Sequence, residues 1–320
     1  MTQETVNNQR PRRRVTLALR AALLIVVLLF VGSVLYRSIL EVDWSIVVIR
    51  PGLIVSGAMI ILAASLVGSR LYQGVYRRLG SNLSLSQAFV LLTVPPLGKY
   101  LPGKVLSMAG HAALARSFSI PIRVSGSAIV LIMGLGLAAA TLLGLVLVTI
   151  QAHRRLDWEF LQFGLPVGAA LIVMLILLHP AIYWRVVNFA LRLLRQPRLE
   201  VNLSLGKMMG LFFGFLIQLG LYICGASVMV LGIVEMPSLV LPTIIGASCL
   251  ASVAGFVAVF APAGIGVYEG ILLVMLTPVI GAGAAGIVAI LMRLAQTAAD
   301  LSLAAAGLIT LQWLRRRRNG

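Results

Sequence analysis

Long apolar runs separated by short, positively charged segments dominate the chain. A spanning helix needs about 20 mostly apolar residues. Six runs meet that need well: 17–36, 52–69, 124–150, 163–180, 208–234 and 238–260. The last run, 284–313, is also long enough, although it carries Arg293 and Asp300. Two further stretches are too short or too interrupted for ordinary spans. These are 83–98, which ends in Pro95, Pro96 and Gly98, and 268–280, which follows Pro262, Gly264 and Gly266. The pattern predicts an all-α fold: a polytopic membrane helical bundle of about eight spans with two broken or re-entrant segments. A single transmembrane domain over 17–313 is expected between basic tails at 1–16 and 314–320.

Composition agrees. Of 320 residues, 60% are hydrophobic and 11% charged, against about half and about a quarter in a soluble domain. A water-soluble fold of this size has nowhere to hide that much apolar surface, so a bilayer is the expected solvent. Soluble enzymes, disordered tails and disulfide-stapled secreted modules are excluded. Cys224 and Cys249 both lie inside apolar runs and give neither a disulfide framework nor a zinc spacing.

The net charge of +17, from 26 basic and 9 acidic residues, could point to nucleic acid if taken alone. Its distribution points to membrane topology and anionic lipid instead. With a cytoplasmic N-terminus, 83–98 dipping in and returning and 268–280 crossing, the inside segments are 1–20, 70–123, 181–207, 261–267 and 314–320. They hold 5, 7, 5, 0 and 4 basic residues, or 21, against 4 in the outside segments 37–51, 151–162, 235–237 and 281–283. That asymmetry predicts both termini inside. The first run is preceded by Arg10, Arg12, Arg13 and Arg14 but lacks a small-x-small cleavage site, which reads as a retained signal anchor.

Residues 181–200 differ in kind. Arg185, Arg192 and Arg195 fall near one helical face, while Ile182, Val186, Phe189 and Leu193 supply apolar area. This predicts a helix lying in the cytoplasmic interface; a solvated charged loop is the alternative. Trp44, Trp158, Trp184 and Trp313 fall near span ends, as an aromatic belt requires.

Two motifs carry candidate chemistry. Gly98-Lys99-Tyr100-Leu101-Pro102-Gly103-Lys104 follows an apolar segment already interrupted by Pro95 and Pro96. Proline and glycine release backbone groups that hydrocarbon cannot satisfy, so a broken helix marks a buried or water-lined site more often than a lipid-facing wall. The two lysines suit a phosphate headgroup; the alternative is an ordinary cytoplasmic turn. The second motif runs from Ala261 through Pro262, Ala263, Gly264, Ile265, Gly266, Val267, Tyr268 and Glu269 to Gly270. Paired Gly/Pro-interrupted segments in two halves of a membrane protein point to a transport site.

Arg293 and Asp300 are seven residues apart, on roughly one helix face, with Gln296 between them. Intramembrane charges cost roughly 2.5–3.5 kcal/mol each and usually line a cavity or relay. Glu269 is near enough in sequence to pair with Arg293, either at a functional site or as a purely structural pair. Arg20 can snorkel from its helix end. Gly206, Gly210 and Gly214 form a repeated GxxxG, expected to serve internal helix packing first and homo-oligomer formation second. Gly134-Leu135-Gly136 lies inside a span with no βαβ context and is no dinucleotide fingerprint. His111, His153 and His179 lack metal-ligand spacing, and no catalytic triad, cofactor motif or metal site is expected.

These motifs give the chain a family likeness. It resembles the membrane domain of the lysylphosphatidylglycerol synthase/flippase proteins, also described as flippase-like integral membrane proteins, over nearly its whole length to about residue 313. The likeness is carried by 98–104 and by Pro262, Gly264, Gly266 and Glu269, which match the family's Gly-rich pattern, with Arg293 where the family commonly has arginine. Ala263 replaces a family glycine and Tyr268 a family arginine. The resemblance implies lipid translocation without the soluble synthase domain.

The expected function is therefore movement of an amphiphilic lipid or lipid-linked precursor between leaflets of a bacterial inner membrane. Its partners would be lipids with anionic or phosphate-bearing headgroups, and no nucleic acid. Lys99, Tyr100, Pro102, Gly103 and Lys104 would line the substrate site together with Pro262, Gly264, Gly266, Tyr268, Glu269, Arg293, Gln296 and Asp300. Lys104 and Arg293 would meet phosphate, while Glu269 or Asp300 would balance charge or accept a cationic group. The sequence shows no ATPase motif, so an ion gradient, the membrane potential or the lipid gradient would drive movement. The alternatives are a membrane enzyme for lipid-linked glycosyl or phosphoryl transfer, and a non-catalytic partner in envelope assembly.

Overall fold

In a computed structural model of the chain, the described residues are 47–100, 105–155, 179–193, 203–258 and 261–319. The expected first span, most of the 163–180 span, Arg195, Trp44, Trp158 and the 101–104 half of the first motif lie outside them. The described residues form an all-helical bundle, apart from one isolated bridge between Val47 and Val234. The helices are α1 (Pro51–Arg78), α2 (Leu85–Thr93), α3 (Val105–Ser117), α4 (Ile122–Arg155), α5 (Pro180–Leu193), α6 (Leu205–Leu231), α7 (Leu241–Val257), α8 (Val267–Ile280) and α9 (Ala282–Asn319). Five of these, α1, α4, α6, α7 and α9, are long and apolar enough to cross a membrane.

Several boundaries differ from the hydropathy pattern. The expected 52–69 span continues to Arg78, because a helix need not stop where it leaves hydrocarbon. The 284–313 run begins at Ala282 and stays helical through the arginines to Asn319. At 1.5 Å per residue, α9 is about 57 Å long, nearly twice the hydrocarbon thickness. The expected 268–280 crossing is α8, of 14 residues, or about 21 Å. It is shorter than the hydrocarbon core is thick.

The outward surface of α1 shows why this is a membrane fold. Val55, Met59, Leu62 and Leu66 follow one another at helical spacing and are all exposed. Ile61, Ala64, Tyr72 and Val75 on the other side are buried. An exposed apolar stripe of that length would be a liability in water and is the ordinary lipid-facing wall of a bundle.

The most extensive helix contact joins α1 and α6. It depends on Gly57 and Gly225: a Cβ on Gly225 would lie 2.7 Å from the Gly57 carbonyl oxygen. The GxxxG series was expected to pack inside the chain, and only Gly214 does so, against Leu71; nothing lies within 4 Å of a Cβ placed on Gly206 or Gly210. Small residues permit a close approach without choosing the helix that makes it.

Two apolar clusters organise the interior. One gathers Tyr76, Leu91, Leu131, Leu135, Tyr183 and Phe212 from α1, α2, α4, α5 and α6. The other gathers Ile61, Ile223, Ile244, Leu272, Val288 and Met292 from α1, α6, α7, α8 and α9. At one end of the bundle the chain entering α1 runs along the exit of α6. The Val48 N–H donates to Ile233 O (3.0 Å) and the Arg50 N–H to Gly232 O (2.7 Å), with an exposed Arg50–Glu235 ion pair beside them.

A helix stands within the expected 181–200 segment, over Pro180–Leu193. Phe189 is exposed on the side of Arg185 and Arg192, four and three residues away. The buried edge is made by Tyr183 and Val187.

Candidate functional site

The first break begins with a well-started helix that cannot continue. At the start of α2 the Ser84 Oγ accepts from the Gln87 N–H (3.2 Å) and the Gln87 Oε1 accepts from the Ser84 N–H (2.9 Å), a capping box. Just beyond the nine residues of α2, Pro95 and Pro96 remove two backbone donors. The chain tightens into a 3-10 turn over Pro95–Tyr100. That turn delivers Lys99 and Tyr100 to α9.

The second break follows α7. The turn Pro262–Gly264 contains Ala263 at φ 51°, followed by Gly264 at φ 71° and Gly266 at φ 87°. These left-handed residues reverse the chain so that α8 starts beside α7. A Cβ on Gly264 would lie 2.8 Å from the Gly255 Cα, so only glycine allows this contact. The Glu269 carboxylate then accepts from the Gly266 N–H through Oε2 (2.7 Å), satisfying an end group at the positive pole of α8.

Between the two breaks lies a cavity of about 320 Å³. Its polar side presents Lys99, Arg293, Gln296 and Tyr268; its apolar side includes Leu91, Ile129, Ile132, Met133 and Phe256. The charges are layered. Lys99 and Arg293 line the cavity, whereas Asp300 and Glu269 are not among the lining residues. Asp300 holds Lys99 Nζ at 2.6 Å and accepts from the Tyr100 hydroxyl (2.8 Å) and the Tyr222 hydroxyl (2.9 Å). Glu269 Oε1 stands 3.4 Å from Arg293 Nε. Arg293 Nη2 also donates to Ala263 O (3.0 Å), and its guanidinium lies 5.7 Å from the centre of the Tyr268 ring. Gln296 Nε2 donates to the Tyr268 hydroxyl (2.7 Å). Cations face the space, and carboxylates anchor them from behind.

Of the expected residues, Lys99, Tyr268, Arg293 and Gln296 line the cavity; Tyr100, Asp300 and Glu269 stand behind them through the contacts above, and Pro262, Gly264 and Gly266 form the second break. Pro102, Gly103 and Lys104 lie outside the described residues. Of the two roles expected for Glu269 and Asp300, balancing charge or accepting a cationic group, the geometry shows the charge-balancing arrangement. Each carboxylate is engaged by a cation of the protein and by other donors.

Sequence reading missed Tyr222 and the aromatic end of the cavity. Tyr222 was legible only as a lone phenol in an apolar run. His111 borders the cavity, and its Nε2 is 2.7 Å from the Tyr76 hydroxyl. Burial pushes the His111 ring down to about 4, so it is neutral at neutral pH. Tyr72 lies on the same face of α1, one turn from Tyr76, its ring 6.1 Å from that of His111.

The layered charges make a testable statement about the first break. Replacing Asp300 with asparagine removes the negative charge that holds Lys99 while retaining a group of nearly the same shape. Amide exchange at Leu97–Tyr100 should then rise at least about threefold as the turn leaves α9 more often. Hydrogen-exchange mass spectrometry reads this directly, and exchange in α6 should stay unchanged.

A search against models of protein families finds no match, and none of the curated proteins matches the sequence. The fold and hydropathy define the class on their own: a helical, multi-pass membrane protein.

Proposed function

We propose that the chain moves an anionic amphiphile, a lipid or lipid-linked precursor, between the leaflets of a bacterial inner membrane. The family resemblance of the two motifs agrees with this reading. The observation that carries it is the layered charge of the cavity: two cations line the space and the carboxylates stand behind them. Burying an unpaired phosphate in hydrocarbon is prohibitive. A preorganised pair of cations, already held by the protein, replaces the water that the headgroup loses, while acyl chains remain in lipid.

The position suits that task. By helical rise, Tyr72 lies about 30 Å from the start of α1 and Gly255 about 20 Å from the start of α7, so the cavity sits toward their far ends, a level that the proposed topology assigns to the cytoplasmic side. Broken helices bring polar backbone to that depth only where protein or water satisfies it.

The topology proposed with this function has eight crossings and both termini cytoplasmic. Contacts at the outside end of the bundle support it: Arg50 of the outside segment 37–51 pairs with Glu235 of 235–237, and Gln151 Nε2 donates to Leu239 O (3.3 Å) just past the latter.

Reconstitution is the test. Purified protein in liposomes should accelerate leaflet exchange of fluorescent phosphatidylglycerol, read by dithionite quenching, at least about tenfold over empty liposomes. Phosphatidylcholine should exchange more slowly. No acceleration for any phosphate-bearing lipid would remove the proposal.

A further inference from the structure

A second candidate site lies on α5, apart from the cavity. The Tyr183 hydroxyl donates to Ser127 O (2.8 Å) and Val187 is buried one turn later, which fixes the rotation of this helix against α4. Arg185, Phe189 and Arg192 consequently emerge together on the outside. Beside them is a recess of about 400 Å³ lined by Ala181, Trp184, Arg185, Asn188, Phe189 and Arg192. The helix contains two arginines and no acidic residue. Trp184 lines the recess with the rest of its ring, its indole N–H being buried away from it.

We propose that this recess binds the phosphate of an anionic glycerophospholipid from the leaflet against which α5 lies. Two guanidinium groups about two turns apart can grip one phosphate from both sides, each through paired N–H donors. Phe189 selects lipid over a soluble phosphate compound. It is 69% exposed and stands between the arginines, where an aromatic ring gains nothing from water but enters the acyl boundary beneath a headgroup. The site is independent of the translocation reading and would exist in a protein with any other activity.

Native mass spectrometry of the delipidated full chain, titrated with phosphatidylglycerol, tests it. The wild type should retain one more phosphatidylglycerol than R185Q/R192Q, whose apparent affinity for that lipid should fall tenfold or more. The single variants R185Q and R192Q should each weaken binding several-fold while leaving the helix content unchanged, which keeps the test informative if the double variant folds poorly. R315Q/R316Q removes the same charge elsewhere and should bind as the wild type does. Equal retention by R185Q/R192Q would overturn the proposal, as would equal binding of phosphatidylcholine. Displacement by glycerol 3-phosphate at matching concentration would also overturn it and assign the recess to a soluble anion.

Discussion

Replacing Arg293 with glutamine should slow lipid exchange in liposomes by at least about tenfold, or roughly 1.4 kcal/mol in the barrier. The argument rests on what each neighbour of Arg293 does. Glu269 is tied to the Gly266 N–H as well as to Arg293, so the carboxylate keeps one partner after the substitution. Glutamine places an amide N–H near the position of the arginine Nε, 3.4 Å from Glu269 Oε1, although it is too short to replace the Nη2 bond to Ala263 O. The loss therefore falls mainly on the positive charge presented to the cavity. Breaking a buried pair from one side commonly costs about 3–5 kcal/mol. The retained cap and the part-exposed arginine, at 19%, place the stability cost of R293Q below that range. Lysine at 293 should recover part of the rate, since it restores charge without the planar fork. The double variant E269Q/R293Q separates the roles. If Glu269 only anchors Arg293, removing both should cost no more activity than removing Arg293 alone. A phosphatidylglycerol exchange rate for R293Q within twofold of wild type would take Arg293 out of the mechanism.

How much of this site could be read beforehand depends on the distance over which each contact is specified. Glu269 and Arg293 belong to successive helices joined at Gly281, whose φ is 79°. A tight hairpin brings residues at similar distances from its turn to one level, so their pairing was foreseeable. The meeting of Lys99 with Asp300 spans two hundred positions and depends on how α2 and α9 pack. Tyr222, Tyr72 and His111 were lost for a related reason. In an apolar helix surrounded by lipid and protein, hydropathy has no polar face to report, and rotation about the axis is set by neighbours. The repeated glycines of α6 show the same limit. The pattern at Gly206, Gly210 and Gly214 drew attention, whereas the α1–α6 approach uses Gly57 and Gly225. The span count was legible only where runs were long. The short α2 and α8 needed their breaks in view before their place in the bundle could be argued.

The largest stability effect should come from Gly264→Ala, with a loss of about 2–5 kcal/mol. A left-handed conformation costs an alanine roughly 1–2 kcal/mol, and Gly264 has φ 71°. The added Cβ would also stand 2.8 Å from Gly255 Cα and 3.2 Å from its carbonyl carbon and oxygen. These are backbone atoms of a packed helix, which cannot rotate aside as a side chain would, so overpacking adds about 1–3 kcal/mol. Two companion substitutions should move the unfolding midpoint in detergent the other way. Ala263 already occupies φ 51° without being glycine, so Ala263→Gly releases native strain of about 1 kcal/mol, less the entropy gained by the unfolded chain. Gly210 lies inside α6 with nothing within 4 Å of an added Cβ, so Gly210→Ala should stabilise by about 0.5–1 kcal/mol through helix propensity alone. Opposite signs at three small-residue positions distinguish a strained turn from a general intolerance of bulk. If Gly264→Ala unfolds with the same midpoint as wild type, the close contact between the second break and α7 does not form. Lys99 and Arg293 would then have no common cavity to face.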